Sequence, residues 1–255
     1  MNELKQIVRF HKLLSTGTDD TYHVAVADTV DTDQAARRLH ARIYQERGYV
    51  TADGIDHLGV MNAQGDPYGH LARYFGAWIN STGSKDLVAT GRLIEATSKD
   101  DHYVFQFMKE LELDRSIRQA IGKISPTRCA EVSGLAKRRG ESTTAILMLY
   151  RAMWQYSVRQ HHSLWLMAVD QKLYSRLQQL FGDALVTAGE PTEFKGHVVV
   201  PATLDVSASI DLLQRSSRRG TPFQRLLRRR LAAFMLHGLS EDDLARLTLA
   251  RKSAA

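Results

Sequence analysis

Glu131 and Ser133 place a carboxylate and a hydroxyl two residues apart in TRCAEVSGLAKRRGESTTAILMLYRAMWQYS (127–157), which reads as a buried strand, a basic turn and a long helix. Side chains alternate across a strand, so Cys129, Glu131, Ser133 and Leu135 share one face while Ala130, Val132 and Gly134 share the other. A lone carboxylate on an apolar face is a candidate proton acceptor, because desolvation makes such a group more basic. A structural ion pair with Arg92 or Arg128 would use the same residue, and both roles stay open for Glu131. The turn that follows holds Lys137, Arg138, Arg139, Gly140 and Ser142. Gly140 is free to take unusual backbone angles, and Ser142 or Thr143 can cap the helix. The unpaired N–H groups at its start, reinforced by two arginines, form a site for a phosphate. Acyl-transfer sites are built in this order.

Other reactive residues point elsewhere. Cys129 has no His in a diagnostic local arrangement and reads as a small buried hydrophobe rather than a nucleophile. His161 and His162 are adjacent, so they do not face one site, and no CxxC or HExxH pattern supports a metal. A P-loop and a dinucleotide fingerprint are also absent, so no permanently bound cofactor is expected.

The elements that must position these residues follow from periodicity. TYHVAVADT (21–29) reads as a strand, and Asp31 or Thr32 is expected to cap a helix burying Ala36, Leu39, Ile43 and Tyr44. Residues 51–70, rich in Gly, Asp and Asn, form a long loop of the kind that carries function. LARYFGAWI (71–79) and LVATGRLIEA (87–96) form a hairpin across NSTGSKD. One or two helices at 101–121 precede the strand and helix already described. Then come the strand SLWLMAVD (163–170), a helix ended by Gly182, and EFKGHVVVPATLDV as a strand or strand pair. Past Ser207 the pattern is helical and basic, with Ser240 capping the last helix. Mixed sheets with helices on both faces arise from such an order.

The chain has 255 residues, 44% hydrophobic and 24% charged, enough for a full core. A single cysteine gives no disulfide framework, and the charged N-terminal stretch lacks a signal-peptide pattern, so a cytoplasmic location is expected. The formal charge of +6 is unevenly spread, with seven arginines between Arg215 and Arg230. An acidic carrier, an anionic membrane surface, DNA or simple solvation of a helix face all fit that cluster.

Four segments in order carry a resemblance: LHARIYQERGYV (39–50), DPYGHLARYFGAW (66–78), LVATGRLIEA (87–96) and RCAEVSGLAKRRG (128–140). With HSLWLMAVD and LYSRLQQLFG, the chain over about 21–205 resembles acyl carrier protein-dependent N-acyltransferases of the GNAT fold. The likeness is greatest to N-acyl amino acid synthases and more distant to acyl-homoserine-lactone synthases. The resemblance implies an α/β (α+β) fold with a central mixed, mostly antiparallel sheet flanked by helices. It implies an acyltransferase domain at 1–206, followed by a basic helical extension at 207–255. Three departures stand out. His40 replaces an Arg that usually follows the Leu, Gly69 stands where an acid commonly follows the Tyr, and Gly134 stands where lactone synthases usually place Arg. They weigh against a lactone synthase.

As the resemblance implies, a long-chain fatty acyl group moves from acyl carrier protein to the α-amine of an amino acid. Acyl-homoserine-lactone synthesis, acetyl-coenzyme A-dependent transfer and a non-enzymatic acyl- or nucleic-acid-binding role are the alternatives, nucleic acid being the least expected partner. Glu131 and Ser133 then take catalytic roles. Arg42, Tyr44, Asp66, Arg92, Val132, Gly134 and Trp154 bind substrate, with backbone N–H groups at Val132 to Gly134 meeting the oxyanion. Lys137, Arg138, Arg139, Gly140 and Ser142 hold the phosphopantetheine of the carrier, which adds to the exposed strand. The late arginines dock the carrier or touch an anionic membrane. Arg92 is open between a structural ion pair and contact with a substrate carboxylate, and Trp154 between core packing and an acyl tunnel.

Overall fold

In a computed structural model, residues 12–81, 84–194, 196–216 and 221–252 are described. Arg218, Arg219 and the first eleven residues lie outside them. The strands are β1 (Tyr22–Val26), β2 (Ala72–Ser81), β3 (Ser84–Glu95), β4 (Cys129–Lys137), β5 (Leu164–Asp170), β6 (Leu185–Thr187), β7 (Thr192–Phe194) and β8 (His197–Asp205). The helices are α1 (Val30–Glu46), α2 (Gln106–Glu110), α3 (Arg115–Gly122), α4 (Thr143–Arg159), α5 (Gln171–Phe181), α6 (Ser209–Ser216), α7 (Pro222–Leu236) and α8 (Glu241–Lys252). The sheet runs in the order β1-β2-β3-β4-β5-β8-β6, with β7 on β8. The β4–β5 pair is parallel. The pairs β1–β2, β2–β3, β5–β8, β6–β8 and β7–β8 are antiparallel. This is the mixed, mostly antiparallel sheet with helices that the order of elements implies. Two compact units divide the chain, Met1–Ile94 with Ser133–Met153, and Glu95–Val132 with Trp154–Ala255.

In the first unit, α1 starts earlier than sequence reading places it. Thr29 is the cap: its side chain accepts from the Thr32 N–H while the Thr32 hydroxyl takes the Thr29 N–H. Asp31 and Asp33 instead occupy the first turn, where a negative charge meets the positive end of the helix dipole. Ala36, Leu39 and Ile43 pack with Tyr74, Trp78, Leu87 and Ala136 into a core. The β2–β3 register sets Tyr74 opposite Arg92, which puts both on one face of the hairpin. The loop before β2 is stitched by its own polar groups. Asn62 Oδ1 accepts from the N–H of Gln64 and Gly65, and Asn62 O accepts from the N–H of Asp66. Gly65 passes so close to Gly54 that a Cβ there would sit 2.3 Å from the Gly54 carbonyl oxygen.

In the second unit, the parallel ladder runs from Cys129↔Leu164 to Val132↔Met167, and β5 pairs along its whole length with β8. Gly182, at φ +57°, ends α5. The short strand β6, missed in the sequence, adds to the outer side of β8. The basic segment after 207 belongs to this unit. Gln155 Nε2 donates to the carbonyl oxygens of Met235 and His237, and Arg159 pairs with Asp243. Leu231, Phe234 and Met235 are the buried anchors of α7.

Candidate functional site

The hairpin register delivers a guanidinium to the interior, and the interior must answer its charge. Arg92 is 4% exposed and donates through Nη1 to Asp66 Oδ2 and to the Tyr74 hydroxyl, 3.3 Å away, and through Nε to Ser133 Oγ at 2.9 Å. Burial alone would lower the pKa of this group. The Tyr74 phenolate, formed only at high pH, and the Asp66 carboxylate outweigh it and hold the pKa above the usual value, so the cation is permanent. Asp66 is fixed from its other oxygen, which accepts from the Tyr68 N–H. A buried pair of this kind is held by such extra hydrogen bonds.

Tyr74 links the pair to α1. Its hydroxyl meets His40 Nδ1 at 2.9 Å, and His40 packs edge-on against Tyr44 with centroids 4.1 Å apart. Arg37 lies over the face of the Tyr74 ring, 4.7 Å from its centre, and is held by Asp33 and the Gly69 carbonyl. Burial pushes the Tyr44 phenol up to about 12 and raises that of Tyr74 as well, against the nearby Arg92, so both stay protonated at neutral pH.

The three departures noted in the sequence converge here. A Cβ on Gly69 would sit 2.9 Å from Asp66 Oδ2, so the carboxylate of Asp66 fills the space that a side chain at 69 would need. Gly134 has φ +62°, which interrupts the regular alternation of β4. A Cβ on it would stand 3.0 Å from both His40 Cε1 and Arg92 Cγ. His40, Gly69 and Gly134 are therefore one packed arrangement around one arginine.

Of the residues that sequence reading singled out, Tyr44, Asp66, Arg92, Ser133 and Gly134 are brought together. Arg42 is not: its side chain is 54% exposed and reaches toward Glu46. The basic turn is occupied by local contacts. Lys137 donates to the Glu141 carbonyl, and burial lowers its pKa. Arg138 pairs with Asp86, Gly140 has φ +87°, and Ser142 caps α4 by accepting the Thr144 N–H. Arg139 is exposed. In the second unit, Glu131 is 2% exposed and its Oε2 accepts the Phe107 N–H at 3.1 Å, while Val132 is buried at the end of the β4–β5 ladder. Trp154 is fully buried there, its indole N–H shared between the Val206 carbonyl and Ser209 Oγ. Burial raises the Cys129 thiol to about 12, which keeps it protonated and unreactive. Tyr74 and Arg37 were missed as site residues, and His40 was seen only as a departure. The one sequence signal for Tyr74 was its place opposite Arg92, legible once the hairpin turn is fixed.

Among the described residues, no group of three or more His, Cys, Asp or Glu could hold a metal, and no helix is long and apolar enough to cross a membrane. No family model matches the chain, and no curated protein sequence matches it. Solved structures do match. FeeM, an N-acyl amino acid synthase from uncultured soil microbes, is 16% identical with a TM-score of 0.56, over 78% of this chain and 98% of its own. BjaI, a coenzyme A-dependent acyl-homoserine lactone synthase solved with SAM and isopentyl-CoA, is 16% identical with a TM-score of 0.54, over 90% of this chain and 99% of its own. The acyl-homoserine-lactone synthase LasI is 15% identical with a TM-score of 0.51, over 72% of this chain and 90% of its own. At these identities the likeness establishes a shared fold.

Proposed function

We propose that this chain is an N-acyltransferase that moves a long-chain fatty acyl group from acyl carrier protein to the α-amine of an amino acid. The observation that carries this reading is the packing around Arg92. The three positions at which the chain departs from the family's usual pattern are neighbours in space, and one of them, Gly134, stands where lactone synthases usually place Arg. An Arg at 134 would have to enter a left-handed backbone position already bounded by His40 and Arg92. The fold shared with FeeM, a synthase of N-acyl amino acids, supports the same product class.

In the reaction, the amine nitrogen attacks the thioester carbonyl, the C–N bond forms, the C–S bond breaks, and the pantetheine sulfur leaves as a thiolate that takes a proton. Glu131 is assigned as the acceptor of the proton that the amine loses. Its carboxylate is desolvated and held in place by the Phe107 amide. Backbone N–H groups of Val132 to Gly134, aimed by the φ of Gly134, are assigned to the oxyanion, with Ser133 ordered by Arg92. Asp66, Arg92 and Tyr44 order the acceptor, and the Lys137–Ser142 turn receives the carrier's phosphopantetheine. Trp154 and the apolar side of α4 are assigned to the acyl tail, whose binding should strengthen by about 0.8 kcal/mol per methylene until the pocket ends.

The test is a product analysis by mass spectrometry of the purified protein, given acyl carrier protein or coenzyme A thioesters and either a panel of amino acids or SAM. N-acyl amino acids from C12 to C16 carrier thioesters are expected, with little product from acetyl donors. Homoserine lactones from SAM, or equal use of acetyl-coenzyme A, would refute the reading.

A further inference from the structure

The helix α7 carries arginines on more than one side: Arg228 lies with the buried side chains, its Nε out of solvent, while Arg225 and Arg229 stand on the exposed face. Leu231, Phe234 and Met235 point inward and are buried. The opposite face is formed at helical spacing by Pro222, Leu226, Arg229 and Ala233, flanked by Arg225 and Leu236. Leu226 is 47% exposed, and the neighbouring Phe223 is 60% exposed. Pro222, Arg225, Leu226, Arg229, Ala233 and Leu236 line an open groove on the second unit with Gln214 of α6; Phe223 lies outside it. Neither Arg225 nor Arg229 forms an ion pair among the described residues. From 207 to 239 the chain holds seven arginines and a single acid, Asp211.

Leu226 stands exposed between Arg225 and Arg229, which puts an apolar side chain and two cations on one surface. A helix built for nucleic acid would set its cations on a polar face. Exposed arginines alternating with an exposed leucine suit the boundary between anionic lipid headgroups and acyl chains, where a long side chain can bury its stem and keep its charge in the headgroup layer. We propose that this face of α7 is a docking surface for an anionic phospholipid bilayer, with Arg225 and Arg229 meeting the headgroups and Leu226 entering the headgroup boundary. The placement does not depend on the acyl-transfer reading. It assigns the late arginines to lipid rather than to an acidic carrier protein.

The test is co-sedimentation of the full chain with vesicles of phosphatidylglycerol and phosphatidylcholine, against vesicles of phosphatidylcholine alone. Binding is expected only where phosphatidylglycerol is present, and it should weaken as salt rises, since surface attraction of this kind decays within a Debye length. Each arginine near such a surface contributes roughly a factor of five, so R225Q/R229Q should weaken binding about 25-fold. Leu226→Ser should weaken it at unchanged charge. All three positions are exposed, and an unfolding transition equal to that of the parent checks that the variants fold. Should one fail to fold, the salt series on the parent chain decides alone. Absence of binding, equal binding to both vesicle types, or unchanged affinity in folded variants would overturn the proposal. It would equally be overturned if the same substitutions weakened binding to acyl carrier protein and left vesicle binding intact.

Discussion

Removing the charge of Asp66 while keeping its shape tests the centre of the cluster most directly. Asp66→Asn leaves Arg92 buried at 4% exposure with no anion to answer it, only neutral acceptors: the hydroxyls of Tyr74 and Ser133 and the amide oxygen at 66. Breaking a buried pair by removing one partner costs about 3–5 kcal/mol. At a urea dependence of roughly 2–3 kcal/mol per molar, the unfolding midpoint should fall by about 1–2.5 M. Asp33→Asn is the internal control. It removes a partner of Arg37 from a pair whose side chains are 28% and 33% exposed, and should cost under about 1 kcal/mol. Replacing both members, with Asp66→Leu and Arg92→Met, should recover most of the stability, because no charge is then left without its counterion. Turnover should stay lost in this double variant. If Asp66→Asn were as mild as Asp33→Asn, the pair would not carry the energy argued for it. If the double variant kept normal turnover, the cluster would be scaffolding and the acceptor would bind elsewhere.

Three further outcomes follow from the same geometry. Glu131→Gln retains an oxygen to accept the Phe107 amide, so stability should change little while kcat falls by roughly 10²-fold or more, measured with a defined carrier thioester and amino acid. Gly134→Ala should destabilise by about 1–3 kcal/mol in denaturant melts, combining a left-handed backbone with contacts at 3.0 Å; Gly140→Ala, at φ +87° with nothing within 4 Å, should show only the backbone part. The Tyr44 phenol is raised from 10.0 to about 12, so the folded state holds that proton more tightly than the unfolded chain. Its contribution is intact below about pH 10 and lost as pH climbs toward 12, up to about 3 kcal/mol, and Tyr44→Phe should flatten that alkaline slope in pH-dependent melts.

The elements that depend on local pattern were legible in the sequence. The β2–β3 hairpin, α1, the strand-turn-helix at 129–159 and the stop at Gly182 all rest on alternation, 3.6-residue rhythm, caps and glycines. The cap of α1 was misplaced because Thr29, Asp31 and Thr32 are all good capping types, and only the reciprocal Thr29–Thr32 bonds decide among them. Strand β6 was missed since three residues, Leu185–Thr187, give no periodicity to read. The candidate site was half legible: Asp66, Arg92, Tyr44 and Ser133 came from motif positions. Tyr74, His40 and Arg37 join them through register and helix packing, which are long-range properties. The contact between Gly134 and His40 likewise joins residues 94 positions apart, beyond any local rule.

The close approaches at Gly69 and Gly134 also bear on how such a chain can change over time. Asp66 fills the room a side chain at 69 would take, and His40 stands against the room that one at 134 would take. A replacement at either glycine is therefore harmful unless its partner changes too, which makes the positions epistatic. A side chain at 69 needs a change at Asp66, and one at 134 needs a change at His40 or Arg92, so the single replacements carry strain that the paired ones relieve. Profiles that weigh alignment columns one at a time count such compensated exchanges as independent mismatches. The three-dimensional arrangement tolerates them together, so likeness of fold outlasts likeness of sequence.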